Sequence, residues 1–159
     1  MLDGATRKEL IEKIRCLPEQ VADLTGELTA EQLTTHFLDG EWSVAQNVHH
    51  LADSHMNSYI RLKLILTEDN PTIRPYDQDL WAMTPEANGA DLSASLTLLR
   101  GLHQRWSELF EGLDDAQWQR TGFHPENGVI TPEDLLRTYA THGEGHLDQM
   151  KRTLAAQPR

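Results

Sequence analysis

Two histidines four residues apart stand in the segment THGEGHLDQM, which covers residues 141–150. On an α-helix, residues at i and i+4 lie one above the other, so His142 and His146 could bind one metal ion. The segment lacks the zincin motif, in which a glutamate directly follows the first histidine. The spacing alone is equally compatible with two partly buried histidines that make ordinary hydrogen bonds.

The same segment contains two glycines, Gly143 and Gly145. A glycine destabilises a helix interior by about 0.5–1 kcal/mol relative to alanine. Both glycines would lie on other sides of the helix than the histidines. We expect them there because a neighbouring helix approaches closely.

More histidines occur in a predicted helix that covers about residues 43–67. His55 falls on its apolar stripe, which favours a core histidine with satisfied hydrogen bonds. A second side of the helix is polar. It is either exposed to solvent or lines a cavity, and in the second case His50 would give the metal ion a third nitrogen ligand. Periodicity does not choose among His49, His50 and His55 as that ligand. The polar side consists of His50, Asp53, Ser54, Asn57 and Arg61.

The remaining histidines, His36, His103 and His124, are scattered along the chain, and we expect surface or structural roles for them.

Four long amphipathic segments predict an all-α protein built as a four-helix bundle. Besides residues 43–67, they cover about residues 6–24, 93–111 and 131–155, and Pro18 is expected to kink or interrupt the first. A long irregular crossover at residues 70–91 joins the second and third long helices, with one helical turn expected at 77–83. Shorter features are a helical turn at 114–120 and a hairpin closed at Asn127-Gly128. We expect residues 1–159 to form a single domain.

The composition excludes several classes of function. A formal net charge of −11 argues against nucleic-acid binding. No run of apolar residues is long enough to cross a membrane, and the N-terminal segment lacks the apolar core of a signal peptide. Cys16 is the only cysteine, so no internal disulfide is expected, and a cytoplasmic location is the simplest expectation.

Several segments together resemble the DinB/YfiT-like superfamily, and within it the YfiT-type metal-dependent hydrolases. They are EWSVAQNVHHLADSHMNSYIRLKL, IRPYDQDLW, LHQRW, FHPE and the final His-x-x-x-His pair, and the resemblance runs over about residues 17–150. It implies a four-helix bundle, usually a homodimer, with one divalent ion per subunit, zinc or nickel. It also implies three ligands, His50, His142 and His146, and selects His50 over His49.

Three neutral imidazoles suit zinc, nickel, copper or iron better than magnesium or calcium and leave a coordination position open. The expected function is therefore hydrolysis of a small-molecule amide or ester by a metal-activated water. One alternative is a metal-dependent S-transferase that activates a low-molecular-weight thiol of the bacillithiol or mycothiol type. Another is a non-enzymatic dimeric bundle that the ion only stabilises. Cys16 is not expected to take part in any of them.

Five further residues are candidates for supporting roles. Each ligand histidine needs an acceptor for its second N–H, and Asp53 and Gln149 are the candidates. The crossover could fold over the site, where Arg74 would bind an anionic group and Tyr76 or Asp77 would handle protons. The alternative is that it packs against a partner subunit. The sequence identifies no protein general base.

Overall fold

The computed structural model describes residues 2–158. Its four long helices form a four-helix bundle, as predicted: α1 (Gly4–Thr25), α3 (Val44–Thr67), α5 (Ser93–Glu111) and α7 (Pro132–Ala155). The short elements are α2 (Ala30–Thr34), α4 (Gln78–Ala82), a 3₁₀ turn (Glu86–Asn88), α6 (Asp115–Trp118), β1 (Gly122–His124) and β2 (Gly128–Ile130). Within residues 2–158, none of the helices has both the length and the apolar character needed to cross a bilayer.

Local sequence signals fix where two of the long helices, α3 and α7, begin. The Ser43 side chain accepts a hydrogen bond from the Gln46 N–H, and the Gln46 side chain accepts one from the Ser43 N–H. Thr131 and Asp134 form the same reciprocal pair at the start of α7. Such pairs satisfy amide groups that have no partner inside the helix.

The order of the helices around the bundle determines which side chains meet. α1 packs against both α5 and α7, and α3 also packs against α5 and α7. This arrangement places α1 diagonally opposite α3. Side chains of α3 and α7 therefore face each other, although the two helices are far apart in sequence.

The expectation that Pro18 interrupts the first helix is wrong. Helix α1 continues through Pro18, which is buried between Leu17 and Val21 in sequence and lies inside the bundle. Burial of the flanking apolar side chains offsets the lost helical hydrogen bond. The proline leaves the carbonyl of Ile14, four residues earlier, without its usual helical donor.

The long crossover contains the expected helical turn, which is α4, with Asp77 as its N-cap. The crossover also pairs with the hairpin. Ile73 donates its N–H to the carbonyl of Phe123, and Phe123 donates its N–H to the carbonyl of Pro71. The expected hairpin is present, and Gly128 opens its second strand with a φ of +75° that favours glycine. These contacts hold crossover and hairpin together at one side of the bundle.

The buried apolar residues form two clusters, one toward each end of the bundle. On α3, one cluster holds the apolar residues between Val44 and Ala52, and the other holds Leu62 and Ile65. On α7, Tyr139 and Ala140 belong to one cluster and Leu147 to the other. Between them lie four buried or half-buried histidines, one or two from each of three helices: His55, His103, His142 and His146. The bundle therefore contains a polar layer between two apolar halves.

Candidate metal centre

The structure brings three histidines together, one from α3 and two from α7. The Nε2 atom of His142 lies 3.3 Å from the Nε2 atom of His50 and 3.2 Å from the Nε2 atom of His146. One ring nitrogen from each histidine lies within 4.8 Å of the other two. His49, the neighbour of His50, points elsewhere: its Nε2–H donates to the carbonyl of Gly89, and its Nδ1 accepts from the Ser95 hydroxyl.

Burial keeps the three clustered imidazoles neutral. Loss of hydration lowers the pKa of His50 and of His142 to about 3, and the charge of His146 acts in the same direction on both. Loss of hydration also lowers the pKa of His146 to about 4. Since the neutral form is the one that donates a lone pair to a metal, these rings are ready to act as ligands at neutral pH.

A row of hydrogen bonds runs from His142 through the interior of the bundle. The His142 Nδ1 lies 3.0 Å from the His55 Nε2, and the His55 Nδ1 lies 2.9 Å from the His103 Nε2. The row ends at the backbone carbonyl of Ile14, 2.6 Å from the His103 Nδ1. It therefore connects all four long helices, because these residues lie on α7, α3, α5 and α1 in turn.

The Ile14 carbonyl at the end of this row determines which ring nitrogen carries the proton in His103, His55 and His142. A carbonyl oxygen only accepts, so His103 must carry its proton on Nδ1. Burial lowers the pKa of His103 to about 4 and that of His55 well below its usual value, so each ring has one N–H and one proton-free nitrogen. His55 then donates from Nδ1 to His103, and His142 donates from Nδ1 to His55. The Nε2 atom of His142 is left with a free lone pair that faces His50 and His146.

The proton on His146 is fixed independently by Asn47. The Asn47 amide nitrogen donates to the carbonyl of Ser43, so its oxygen is the atom that faces His146. That oxygen accepts from the His146 Nδ1–H at 2.7 Å. His146 therefore also presents a proton-free Nε2 to the cluster.

This donor set fits a divalent metal ion. Two proton-free imidazole nitrogens 3.2 Å apart repel each other unless a cation lies between them. Tetrahedral zinc with Zn–N bonds of 2.0–2.1 Å requires N···N separations of about 3.3–3.4 Å, close to the spacing of these atoms. Within residues 2–158, no fourth histidine, cysteine, aspartate or glutamate joins the group. Three protein ligands leave a position for water or substrate.

Pro18 explains why the Ile14 carbonyl is free to accept the last hydrogen bond of the row. In an unbroken helix the N–H of residue 18 would donate to the carbonyl of residue 14. Proline has no N–H, so the Ile14 carbonyl is available to His103.

One side of the cluster is covered by Trp42. Its ring stacks on His146 with 6.1 Å between ring centroids and an interplanar angle of 12°, and its centroid lies 4.7 Å from that of His50. An indole at this position limits the access of water to two of the three histidines.

The other side borders a cavity of about 640 Å³ between α3, α7, the crossover and the hairpin. Ser54 and Arg61, from the polar side of α3, line this cavity. All five residues of that side are buried or half-buried, so it is not a fully exposed solvent face. Tyr76 and Asp77 of the crossover line the cavity as expected. Arg74 does not: its side chain is exposed and lies beside a smaller neighbouring pocket. The lining residues are Ser54, Arg61, Pro75, Tyr76, Asp77, Gln78, His124, Glu126, Asn127, Thr138, Tyr139 and His142.

Asp53 and Gln149, the two residues expected to orient the histidines, interact with acidic side chains. Asp53 is half-buried, which raises the pKa of its carboxyl, and the charge of Glu86 adds to that rise. Gln149 lies beside Glu41, whose pKa is lowered chiefly by a hydrogen bond from Arg152 and to a lesser extent by Gln149. The acceptors for the Nδ1–H groups of His146 and His142 are Asn47 and His55.

The other histidines are placed as structural or surface residues, as expected. His103 is fully buried and belongs to the hydrogen-bonded row. His124 is buried beside the cavity, where its Nδ1 accepts from the Glu126 N–H. His36 is exposed, and its Nδ1–H donates to the carbonyl of Glu41.

The two glycines of α7 have different surroundings. A Cβ atom on Gly143 would lie 2.6 Å from a methyl carbon of Leu17, so this glycine allows α1 to approach, as expected. Gly145 is exposed, and a Cβ atom there would meet nothing within 4 Å, so that part of the expectation is wrong.

Known proteins share both the sequence and the fold. The family model of the DinB superfamily matches residues 15–150. YfiT of Bacillus subtilis is 45% identical over 138 residues, which cover 86% of this chain and 78% of YfiT. OB0782 of Oceanobacillus iheyensis is 45% identical over 139 residues, which cover 87% of this chain and 80% of that protein. Both are named as metal-dependent hydrolases whose activity is inferred.

A solved structure of Bacillus subtilis YfiT superimposes with a TM-score of 0.92 at 40% identity, over 96% of this chain and 88% of that one. That structure is described as a probable metal-dependent hydrolase with an unusual four-helix bundle topology. The family match over most of the chain and the relatives at 45% identity agree with the helical bundle and its histidine cluster. The chain belongs to the DinB superfamily.

Proposed function

We propose that this protein is a metal-dependent hydrolase that holds one divalent ion, zinc or nickel, through His50, His142 and His146. The observation that carries the proposal is the pair of proton-free Nε2 atoms 3.2 Å apart, on His142 and His146, with the His50 Nε2 beside them. An ion held by three neutral ligands supplies an activated water molecule and polarises a carbonyl oxygen. The relatives named as metal-dependent hydrolases support the same conclusion.

The cavity beside His142 supplies groups that would act on an amide or ester. Burial raises the pKa of the Tyr76 phenol, while a hydrogen bond with Ser54 acts in the opposite direction. Tyr76 therefore keeps its proton at neutral pH and can donate a hydrogen bond from its hydroxyl to a substrate oxygen. Asp77 and Glu126 also line the cavity and offer carboxylate oxygens that accept protons. One Asp77 oxygen already accepts from the amides of Asp79 and Leu80, which fixes the orientation of that carboxylate.

The three-ligand cluster argues against a purely structural ion. A structural zinc site is closed by four protein ligands, whereas the described part of this chain offers three. The adjoining cavity of about 640 Å³ gives a small molecule room to reach the open position.

The proposal is tested with metal-free protein reloaded with Zn²⁺, Ni²⁺ or Co²⁺ and assayed against a panel of amides and esters. We expect one ion per chain by elemental analysis and metal-dependent hydrolysis in the wild type. His142→Ala should lose both the bound ion and the hydrolysis. His36→Gln, a change at an exposed histidine outside the cluster, should keep both.

A loaded protein that hydrolyses nothing in the panel would contradict the proposal. If the Co²⁺ form then develops a sulfur-to-metal charge-transfer band with a low-molecular-weight thiol, thiol transfer replaces hydrolysis as the function.

We also propose a homodimeric, cytoplasmic protein in which the whole chain forms one domain. Exposed apolar side chains of Leu80, Trp81 and Met83, on and beside α4, support a contact between two copies. The lone, half-buried Cys16, whose thiol donates to Glu12, suits a reducing compartment. Light scattering on the purified protein tests the dimer.

A further inference from the structure

The cavity beside the histidine cluster contains a half-buried cation, Arg61 of α3. Among the described residues that line the cavity, it is the only lysine or arginine. Its guanidinium donates to the Tyr139 hydroxyl at 3.5 Å and to the carbonyl of Arg74 at 3.3 Å. Both bonds are long, and both acceptors are neutral oxygen atoms.

No carboxylate neutralises this cation within the described chain. The ion pairs among residues 2–158 do not include Arg61, although the protein has 25 acidic and 14 basic residues. Other arginines are well paired: Arg100 lies 2.8 Å from Glu19, and Arg15 lies 2.8 Å from Glu111. Apart from its two long bonds, the Arg61 guanidinium contacts, in the described part of the chain, only the face of the Tyr76 ring, 5.9 Å from its centroid, and a half-buried charge held by neutral groups is costly unless a ligand completes it.

We propose that Arg61 binds a carboxylate of the substrate, so that the substrate class is a small amide or ester with a free carboxylate. This inference rests on the proposed hydrolase function and adds its specificity. Guanidinium and carboxylate form paired hydrogen bonds of matching geometry. Asp77 and Glu126 line the same cavity, so a singly charged carboxylate is accommodated better than a doubly charged phosphate.

The position of Arg61 sets the distance from the carboxylate to the reacting bond. Arg61 follows His50 by eleven residues on one helix, which is about 16 Å along the axis, and its side chain points back toward the helix N-terminus. Tyr139 lies between the two groups: its hydroxyl contacts Arg61, and its ring centroid lies 5.4 Å from that of His142. The carboxylate is therefore several atoms from the scissile bond and not directly beside it.

The test compares glutaric acid monoanilide with its neutral primary amide, which differs only in the carboxylate. Binding is measured by protein NMR titration, with zinc-loaded and with metal-free protein, so that carboxylate bound directly to zinc is recognised. We expect the acid to bind wild type more tightly than the amide in both forms. Arg61→Gln should weaken binding of the acid roughly tenfold or more and leave binding of the amide unchanged.

Two variants complete the design. Arg61→Lys keeps the charge without the paired hydrogen bonds and should restore binding in part. Arg74→Gln removes an exposed arginine outside the cavity and should bind the acid as wild type does. Inorganic phosphate should bind more weakly than the acid.

Equal binding of acid and amide by wild type, or equal binding of the acid by wild type and Arg61→Gln, would overturn the inference. Its failure is distinguishable from failure of the proposed function. If the metal-loaded wild type hydrolyses neutral esters but binds acid and amide equally, the hydrolase stands without this specificity. If the acid binds in an Arg61-dependent way but no substrate is hydrolysed, the carboxylate site stands and the hydrolase function fails.

Discussion

The Nε2 atom of His55 lies 3.0 Å from the Nδ1 atom of His142 and accepts its hydrogen bond. Metal-binding histidines usually donate their second N–H to a carboxylate, a backbone carbonyl or water. Here the acceptor is a neutral imidazole, and the carbonyl of Ile14 lies two hydrogen bonds further on, beyond His103. The orientation of a ring on α7 thus depends on a backbone atom of α1.

Replacing His55 should weaken metal binding without removing a ligand. In His55→Leu the His142 Nδ1–H loses its acceptor, so the proton is free to move to Nε2 and compete with the ion. We expect zinc affinity to fall about 10–100-fold, measured by competition with a chelator. In His55→Gln the side-chain amide can accept from His142 and donate to His103, so a smaller loss is expected.

Nitrogen NMR of the metal-free protein separates this effect from general destabilisation. Wild-type His142 should be protonated on Nδ1 only, whereas His55→Leu should show a mixture of both tautomers. Unchanged zinc affinity in a folded His55→Leu protein would contradict the dependence of His142 on His55.

Pro18→Ala should affect stability and metal binding in opposite directions. Alanine restores an N–H that can donate to the Ile14 carbonyl and removes the proline from a helix interior, so the melting temperature should rise. The restored N–H competes with His103 for the carbonyl, and one net hydrogen bond is worth about 0.5–1.5 kcal/mol. Zinc affinity should therefore fall by about two- to tenfold. A rise in both quantities would show that the Ile14 carbonyl does not anchor the row.

Gly143 and Gly145 provide a matched pair on one helix. In Gly143→Ala the new methyl group collides with Leu17, which is buried, so the unfolding free energy should fall by about 1–3 kcal/mol. In Gly145→Ala the methyl group meets open space, so the unfolding free energy should rise by about 0.5–1 kcal/mol. Urea denaturation measures both. Equal effects of the two changes would contradict the close approach of α1 and α7 at Leu17.

The sequence predicts the bundle because each long helix is amphipathic. Two of them also begin at capping pairs, Ser43 with Gln46 and Thr131 with Asp134, which depend only on residues within one turn. The cluster of His50, His142 and His146 was expected from family resemblance, since helical periodicity alone does not separate His50 from His49. The structure separates them by direction, because His49 faces the crossover and α5.

What the sequence misses depends on contacts between helices. Asn47 lies three residues before His50, a spacing that could have suggested a shared side of α3, but its partner His146 is 99 residues away. His55 was expected to be a core histidine with satisfied bonds, yet its role toward His142 requires knowing that α3 and α7 are neighbours. Arg61 was assigned to the polar side of α3, while Arg74 was expected to bind the anionic group. The path of the crossover exposes Arg74 and leaves Arg61 in the cavity, which is why we propose Arg61 for that role.

The metal-free protein should lose stability as the pH falls below about 6.5. Unfolded histidines titrate near pH 6.5. In the folded protein burial lowers the pKa to about 3 for His50 and His142, to about 4 for His103 and His146, and far below its usual value for His55. Below pH 6.5 the unfolded chain therefore binds more protons than the folded one, and acid favours unfolding until the folded pKa values are reached.

Each such histidine lowers the unfolding free energy by up to about 1.4 kcal/mol per pH unit in this range. In the presence of chelator, the unfolding free energy should therefore fall by several kcal/mol between pH 7.5 and pH 5.5. Urea denaturation at the two pH values measures the difference, in a range where ordinary carboxyl groups stay ionised. In excess Zn²⁺ the fall should move to lower pH, because a bound ion requires the neutral rings. Equal unfolding free energies at both pH values in chelator would show that the five imidazoles are not held neutral by burial.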